Sequence, residues 1–271
     1  MRKIIVYLCF LALLIPTYSI SAPSGIFAAE ADSQPIDSNL IGVGIIGVNY
    51  SSKEGKRIKA AVEKSGNVYY YDLSNDGKVN YLPLQMQNGS YNVSIFEQVQ
   101  GNRYIPVHQT SVKLALKDPN QVYLQSVQNV SWNKSMKPIK KAAELTSKFK
   151  GSEEKVKSIH SYIVKNIKYD YQKLKSVQPG YLPNPDATFK ENKGICYDYS
   201  SLFAAMLRSQ GIPVKVAMGY TPGVKGYHAW NEVYIKELNK WVIIDTTVDA
   251  SAKKVSSLYK KESLYTKDKE Y

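Results

Sequence analysis

Apolar and polar residues alternate through much of the first half of the chain, which is the pattern of β-strands with one buried face. The alternation is clear from Tyr91 to Ile95, and turn sequences such as Asn88-Gly89 separate successive runs. The candidate strands are Leu40–Tyr50, Arg57–Glu63, Asn67–Leu73, Tyr91–Gln98, Tyr104–Leu116 and Gln121–Leu124. About six short strands within roughly ninety residues predict an all-β sandwich of immunoglobulin-like type.

The period of the apolar pattern changes after Trp132, and the second half of the chain predicts helices. A first helix is expected over Lys137–Phe149, and Gly151 ends it. A second begins at Ser152, where two glutamates follow and suit the positive end of a helix. Its apolar positions recur at helical spacing, at Val156, Ile159, Ile163 and Ile167.

A long segment with several prolines follows, from Tyr169 to Gly194. Structureless segments of that length are uncommon inside a compact domain. We therefore expect this segment to serve a functional site or to hold a short helix, for which Ala187–Glu191 behind Asp186 is the candidate.

The first residues of the chain have the layout of a secretory signal peptide. Arg2 and Lys3 precede an apolar run from Ile4 to Ile15, and small residues follow near Ala31. The apolar run is about twelve residues long, whereas a membrane-spanning helix needs about twenty. The sequence therefore predicts a secreted protein cleaved after Ala31, with Ala28 and Ala29 as the alternative positions.

The chain is strongly basic. It holds 36 Lys and Arg against 23 Asp and Glu, and removal of residues 1–31 leaves 34 − 22 = +12. No basic helix or recognised binding motif gathers the lysines, so we expect no nucleic acid partner. Electrostatic association with an anionic cell surface fits the excess, and a solvated lysine-rich surface is the alternative.

The positions of the cysteines indicate a candidate reactive thiol. Cys9 leaves with the predicted signal peptide, so Cys196 is the single thiol of the mature chain and cannot form an internal disulfide. An odd thiol in an exported protein is a candidate reactive group. Cys196 lies at or within the first turn of a predicted helix and precedes its apolar face, which is formed by Tyr199, Leu202, Phe203, Met206 and Leu207. The positive end of that helix would favour the thiolate, the nucleophilic form.

Two alternating runs that follow, Tyr227–Ile235 and Trp241–Asp245, predict an antiparallel hairpin. If Ile235 pairs with Leu238, then His228 faces Asp245 directly; a turn centred nearer Asn239 makes the contact diagonal. In either register the carboxylate would fix the tautomer of the imidazole, whose other nitrogen would face the thiolate.

The motifs around these residues resemble the transglutaminase-like superfamily. The resemblance is strong from Lys193 to Thr247 and rests on three stretches, G-I-C-Y-D-Y-S-S-L-F-A-A-M-L-R-S-Q-G-I-P-V-K-V-A-M-G-Y, Y-H-A-W-N-E-V-Y and W-V-I-I-D-T-T. It implies a papain-like α+β catalytic domain in which Cys196 is the nucleophile, His228 the general base and acid, and Asp245 its orienting partner. The chain then divides into a signal peptide (1–31), a β-sandwich domain (32–135) and a transglutaminase-like catalytic domain (136–271).

The sequence departs from animal transglutaminases at the oxyanion site. Those enzymes use a tryptophan upstream of the cysteine, and no tryptophan lies between Trp132 and Trp230. The main-chain N–H of Cys196 is the expected first donor. The second donor is left open among Tyr169, Tyr171, Tyr181 and Asn192. One cysteine and three scattered histidines give no metal-ligand spacing, so we expect no metal and no cofactor.

A thiolate that attacks a carboxamide forms a thioester and releases an amine. With water as the second substrate the enzyme is a cysteine peptidase or amidase, the interpretation favoured here, acting on cell-wall peptides or surface proteins. With a lysine amine it is a protein cross-linking transglutaminase. The alternative of a different class is a non-catalytic, wall-associated binding module.

Overall fold

Seven antiparallel strands precede the helices in the computed structural model, which describes residues 34–271. The predicted signal peptide lies outside the described residues. The strands are β1 (Ile36–Asp37), β2 (Ile45–Val48), β3 (Ile58–Lys64), β4 (Asn67–Leu73), β5 (Asn80–Pro83), β6 (Gly89–Gln100) and β7 (Arg103–Leu114). They form two sheets, of order β1-β2-β5 and β4-β3-β6-β7. One apolar core takes side chains from both sheets, so the strands of this region pack as a layered all-β unit.

Several of the predicted strands need correction. The run Leu40–Tyr50 is interrupted by a 3-10 turn at Ile41–Val43, because Gly44 adopts a positive φ of 87° before β2 begins. Gln121–Leu124 is not a strand; it belongs to a 3-10 helix, Pro119–Leu124, whose first turn is capped by Asp118. The immunoglobulin-like class of the β region stays a prediction.

Within the described residues, the second half of the chain contains six α-helices, a two-stranded parallel sheet and a four-stranded antiparallel sheet. The helices are α1 (Lys137–Thr146), α2 (Ser152–Asn166), α3 (Tyr171–Ser176), α4 (Pro185–Glu191), α5 (Cys196–Arg208) and α6 (Thr246–Ser251). A two-residue parallel pair, β8 (Lys168–Tyr169) with β9 (Lys193–Gly194), flanks α3 and α4. The antiparallel sheet has the order β12-β11-β10-β13, with β10 at Val214–Tyr220, β11 at His228–Ile235, β12 at Lys240–Ile244 and β13 at Thr266–Glu270. This mixture of helices with an antiparallel sheet is the α+β class.

Helix α5 lies at the centre of the core of this half. The five apolar positions expected to form its buried face are all inaccessible to solvent, and residues of α2, β10 and β11 pack in the same cluster. No helix within residues 34–271 is long and apolar enough to cross a membrane.

The β11–β12 hairpin takes the second of the two expected registers, in which the turn lies nearer Asn239. Ile235 pairs with Lys240 rather than Leu238, because Lys236–Leu238 form a 3-10 turn that ends at Asn239 in the left-handed conformation, at φ 49°. The two extra loop residues shift every later pair. Asp245 consequently lies just beyond the end of β12, where it begins α6.

The β region and the helical half meet through buried polar contacts. The guanidinium of Arg208, at the end of α5, donates to the main-chain oxygens of Val214, Gln125 and Tyr271. Residues 34–271 form one compact unit. The domain boundary near residue 135 stays a prediction.

Candidate active site

The thiol of Cys196 lies at the first residue of α5 and is partly exposed. Two residues earlier, Gly194 packs so tightly against the helix that a Cβ there would stand 2.5 Å from the Cβ of Asp198. The same aspartate accepts a hydrogen bond from the main-chain N–H of Ile195 at 2.9 Å. The backbone that enters the helix is thereby fixed immediately before the cysteine.

His228 and Asp245 form a buried pair. Their side chains meet through Nε2 of the imidazole and Oδ2 of the carboxylate at 2.8 Å, and only 2% and 0% of their surfaces are exposed. The other carboxylate oxygen, Oδ1, accepts the main-chain N–H of Val248 at 3.0 Å and caps α6. Asp245 is therefore both a helix cap and the partner of the histidine, and the contact is diagonal, as expected for a turn nearer Asn239.

The pKa of His228 reflects its burial and its two neighbours, Asp245 and Cys196. Burial lowers this pKa, but hydrogen bonding and charge from Asp245 and Cys196 outweigh burial and raise it to about 9. Because Nε2 faces the carboxylate, Nδ1 is the nitrogen left for the thiol. The structure thus brings together the three side chains singled out from the sequence.

Tyr169 is the tyrosine that reaches the cysteine. Strand β8 pairs with β9 so that Tyr169 lies opposite Gly194, and the side chain of Tyr169 lies close to the main chain of Cys196. Burial and the neighbouring Cys196 raise the pKa of Tyr169 to about 12, so its hydroxyl remains a donor at neutral pH. The Tyr169 hydroxyl is therefore a donor that lies beside the main-chain N–H of Cys196, the expected first oxyanion donor.

The other three candidates for that donor lie in different surroundings. Tyr171 is 67% exposed, and Asn192 ends α4 in the left-handed conformation at φ 53°. The hydroxyl of Tyr181 donates to Oδ1 of Asp198 at 2.5 Å, and Lys173 pairs with the other oxygen of that aspartate at 2.7 Å. Asp198 therefore anchors the segment between β8 and β9 to the start of α5.

Tyr265 is a site neighbour that the sequence did not indicate. Its hydroxyl donates to Oδ2 of Asp245 at 3.0 Å, and its ring lies 5.0 Å from that of Trp230, which in turn lies 6.3 Å from the imidazole of His228. No local pattern marks this residue, because it comes from an irregular segment twenty positions after Asp245.

A second histidine–aspartate pair shows that such a pair alone does not make a site. His160 of α2 meets Asp249 of α6 through Nε2 and Oδ2 at 2.8 Å, and the ring packs against Phe203. The described residues hold their one free thiol at Cys196, beside His228. Within residues 34–271, no group of three or more His, Cys, Asp or Glu side chains is arranged to hold a metal ion.

Comparison with known proteins places part of the chain in a family. Residues 139–246 match the sequence profile of the Transglutaminase-like superfamily. A UPF0252 protein of Methanocaldococcus jannaschii is 35% identical over 121 residues, which are 40% of this chain and 34% of that protein, so the match spans about a third of the relative's length.

Among solved structures, a candidate cysteine protease from Cytophaga hutchinsonii is 17% identical with a TM-score of 0.42, over 74% of this chain and 61% of the other. Red sea bream transglutaminase is 10% identical with a TM-score of 0.30, over 75% and 48% of the two chains. From the profile match, which includes Cys196, His228 and Asp245, residues 139–246 form a domain of the transglutaminase-like superfamily.

Proposed function

We propose that this protein is a thiol hydrolase, a cysteine peptidase or amidase, which cleaves peptide or carboxamide bonds through Cys196, His228 and Asp245. The observation that carries the proposal is the buried His228–Asp245 pair, 2.8 Å apart, whose histidine also interacts with a thiol at the start of a helix. A carboxylate, an imidazole and a thiol in series are the parts that nucleophilic acyl transfer requires.

The proposed reaction begins with a thiolate on Cys196 and a proton on His228, the state that the raised pKa of His228 favours. The sulfur attacks the carbonyl carbon, the C–N bond breaks, and the imidazolium gives its proton to the departing amine. The acyl group is then held as a thioester on Cys196. His228 next takes a proton from water, whose oxygen displaces the sulfur and releases the carboxylic acid.

The negative oxygen of the tetrahedral intermediate needs two donors. The main-chain N–H of Cys196 and the hydroxyl of Tyr169 are adjacent in the free protein, and both would turn to the substrate oxygen. Preorganised donors of this kind contribute more than donors that must first be oriented. Tyr169 would therefore replace the tryptophan of the animal enzymes.

Secretion and the substrate belong to the same proposal. The basic mature chain and the predicted leader are what an exported enzyme of an anionic cell surface would have. Cell-wall peptides or surface proteins are accordingly the proposed substrates, bound by electrostatic attraction as well as by the site.

The test is mass spectrometry of glutamine- and amide-bearing peptides, including cell-wall peptides, after incubation with and without an amine donor. Hydrolysis that is lost in Cys196→Ala supports the proposal. Incorporation of the amine instead of water would identify a cross-linking transglutaminase. A folded protein that converts no peptide, and whose Cys196 resists a charged alkylating agent near neutral pH, would be a binding module and would refute the proposal.

The same assay tests the oxyanion donor. Tyr169→Phe should lower turnover on the order of 10²-fold, the loss found when one such donor is removed. Alkylation of Cys196 forms no oxyanion and should proceed at the normal rate. Tyr171→Phe, which removes the hydroxyl of an exposed tyrosine two residues further along the chain, is the matched control.

A further inference from the structure

The carboxylate of Asp245 receives three hydrogen bonds from three different parts of the fold. Oδ1 accepts the main-chain N–H of Val248, while Oδ2 accepts both the imidazole of His228 and the hydroxyl of Tyr265. A carboxylate can rotate about the bond to its Cβ, and hydrogen bonds from fixed groups to both oxygens resist that rotation. Tyr265 supplies the bond that lies beside the histidine.

Tyr265 is held in place from both sides along the chain. Five residues earlier, the main-chain N–H of Lys260 donates to the oxygen of Ile243 at 2.9 Å, and its ammonium pairs with Asp249 at 2.5 Å. Immediately after Tyr265, β13 begins and pairs with β10. The tyrosine is therefore fixed by the backbone and by an ion pair, independently of its own hydroxyl.

The hydroxyl of Tyr265 is protonated at neutral pH and can therefore donate a hydrogen bond. Burial raises its pKa, and the charge of Asp245 raises it further, so the phenol keeps its proton. Trp230, which packs between the tyrosine and His228, keeps water from this side of the pair, since it is 1% exposed.

We infer that Tyr265 is a positioning residue of the reaction, which holds Asp245 in the plane that directs Nδ1 of His228 toward Cys196. The catalytic role of Tyr265 rests on the proposed function. The hydrogen bond itself is a property of the folded protein and can be tested without a substrate.

The test compares Tyr265→Phe with Tyr259→Phe. Both tyrosines line one cavity of about 350 Å³ next to Trp230, but the hydroxyl of Tyr259 does not bond Asp245. Three measurements are made on each variant: turnover, the rate of Cys196 alkylation against pH, and the NMR titration of His228. The chain has three histidines, so His228→Gln assigns the signal.

For Tyr265→Phe we expect turnover to fall on the order of 10-fold at unchanged KM, the loss of one hydrogen bond to a charged group. The pKa of His228 should rise, because Oδ2 of Asp245 loses the hydrogen bond from Tyr265 and then stabilises the imidazolium more strongly. Tyr259→Phe should match the parent protein in all three measurements.

If Tyr265→Phe behaves as Tyr259→Phe does, with an unchanged His228 titration and alkylation profile, the inference is wrong. Its failure is distinct from failure of the proposed function. A protein that hydrolyses no peptide refutes the enzyme, whereas the titration and the alkylation still decide whether Tyr265 controls the pair.

Discussion

At the scale of single residues, Asp245 has two roles: Oδ1 caps α6, and Oδ2 binds His228. Asparagine is nearly the same size and keeps one oxygen, so Asp245→Asn can still cap α6 through Val248. Its amide would present N–H groups to His228 and favour the wrong tautomer. We expect turnover to fall on the order of 10–10³-fold, less than the loss in a serine protease, because a thiolate–imidazolium pair depends less on its third member.

Asp249→Asn is the matched control for this substitution. Asp249 lies on the same short helix, is buried, and also pairs with a histidine at 2.8 Å, but its partner is His160. Both variants should melt below the parent, and only Asp245→Asn should lose most of its turnover. Normal turnover in a folded Asp245→Asn protein would leave at most a Cys196–His228 dyad.

The raised pKa of His228 predicts the response to pH. Turnover should decline as the pH passes about 9, where the imidazolium loses its proton.

The raised pKa of His228 also stabilises the fold. Since the pKa in the folded protein exceeds the unfolded pKa of about 6.5, its contribution to the free energy of unfolding is complete below pH 6.5 and is lost as the pH rises through about 9. Melting temperatures from pH 6 to 10 check this, and His228→Gln should show a weaker dependence. An equal dependence in both proteins would contradict the assignment.

At the scale of elements, the sequence predicted those whose pattern is local. Asn67–Leu73 and the start of the helix at Ser152 are confirmed, because alternation and a charged first turn are properties of neighbouring residues. The apolar face of α5 is confirmed for the same reason. Cys196 and the hairpin with His228 could therefore be located from the sequence.

What the sequence did not predict depends on loops and on distant contacts. The sequence left two hairpin registers open because a 3-10 turn and a left-handed Asn239 set the loop length. Tyr265 and the pairing of β8 with β9 were missed because they join segments twenty or more residues apart. The choice of Tyr169 among the four candidate donors required that pairing.

At the scale of the whole molecule, Arg208 links the two halves. Its guanidinium is 2% exposed and satisfies main-chain oxygens of Gln125, Val214 and Tyr271. Arg208→Met leaves these oxygens without that donor, and we expect a loss of about 2–4 kcal/mol in the free energy of unfolding. Arg103→Met, at an exposed position of β7, should change it by less than about 0.5 kcal/mol.

Calorimetry of Arg208→Met also tests how the β region relates to the rest. If the halves are coupled through this contact, the single transition of the parent should move to lower temperature as one peak. Two separate transitions in the parent would instead support the boundary predicted near residue 135 and an independently folding sandwich. Unchanged stability in Arg208→Met would show that the buried contacts contribute little.

The unequal burial of the three site residues has an evolutionary consequence. Cys196 is partly exposed at a helix start, whereas His228 and Asp245 are buried, and removing either one leaves the other without its partner. A descendant that no longer needs the chemistry can therefore change its cysteine at little cost to folding, whereas a change in the pair lowers its stability. We expect inactive descendants to retain the histidine and aspartate, so that residue 196 alone separates them from active enzymes.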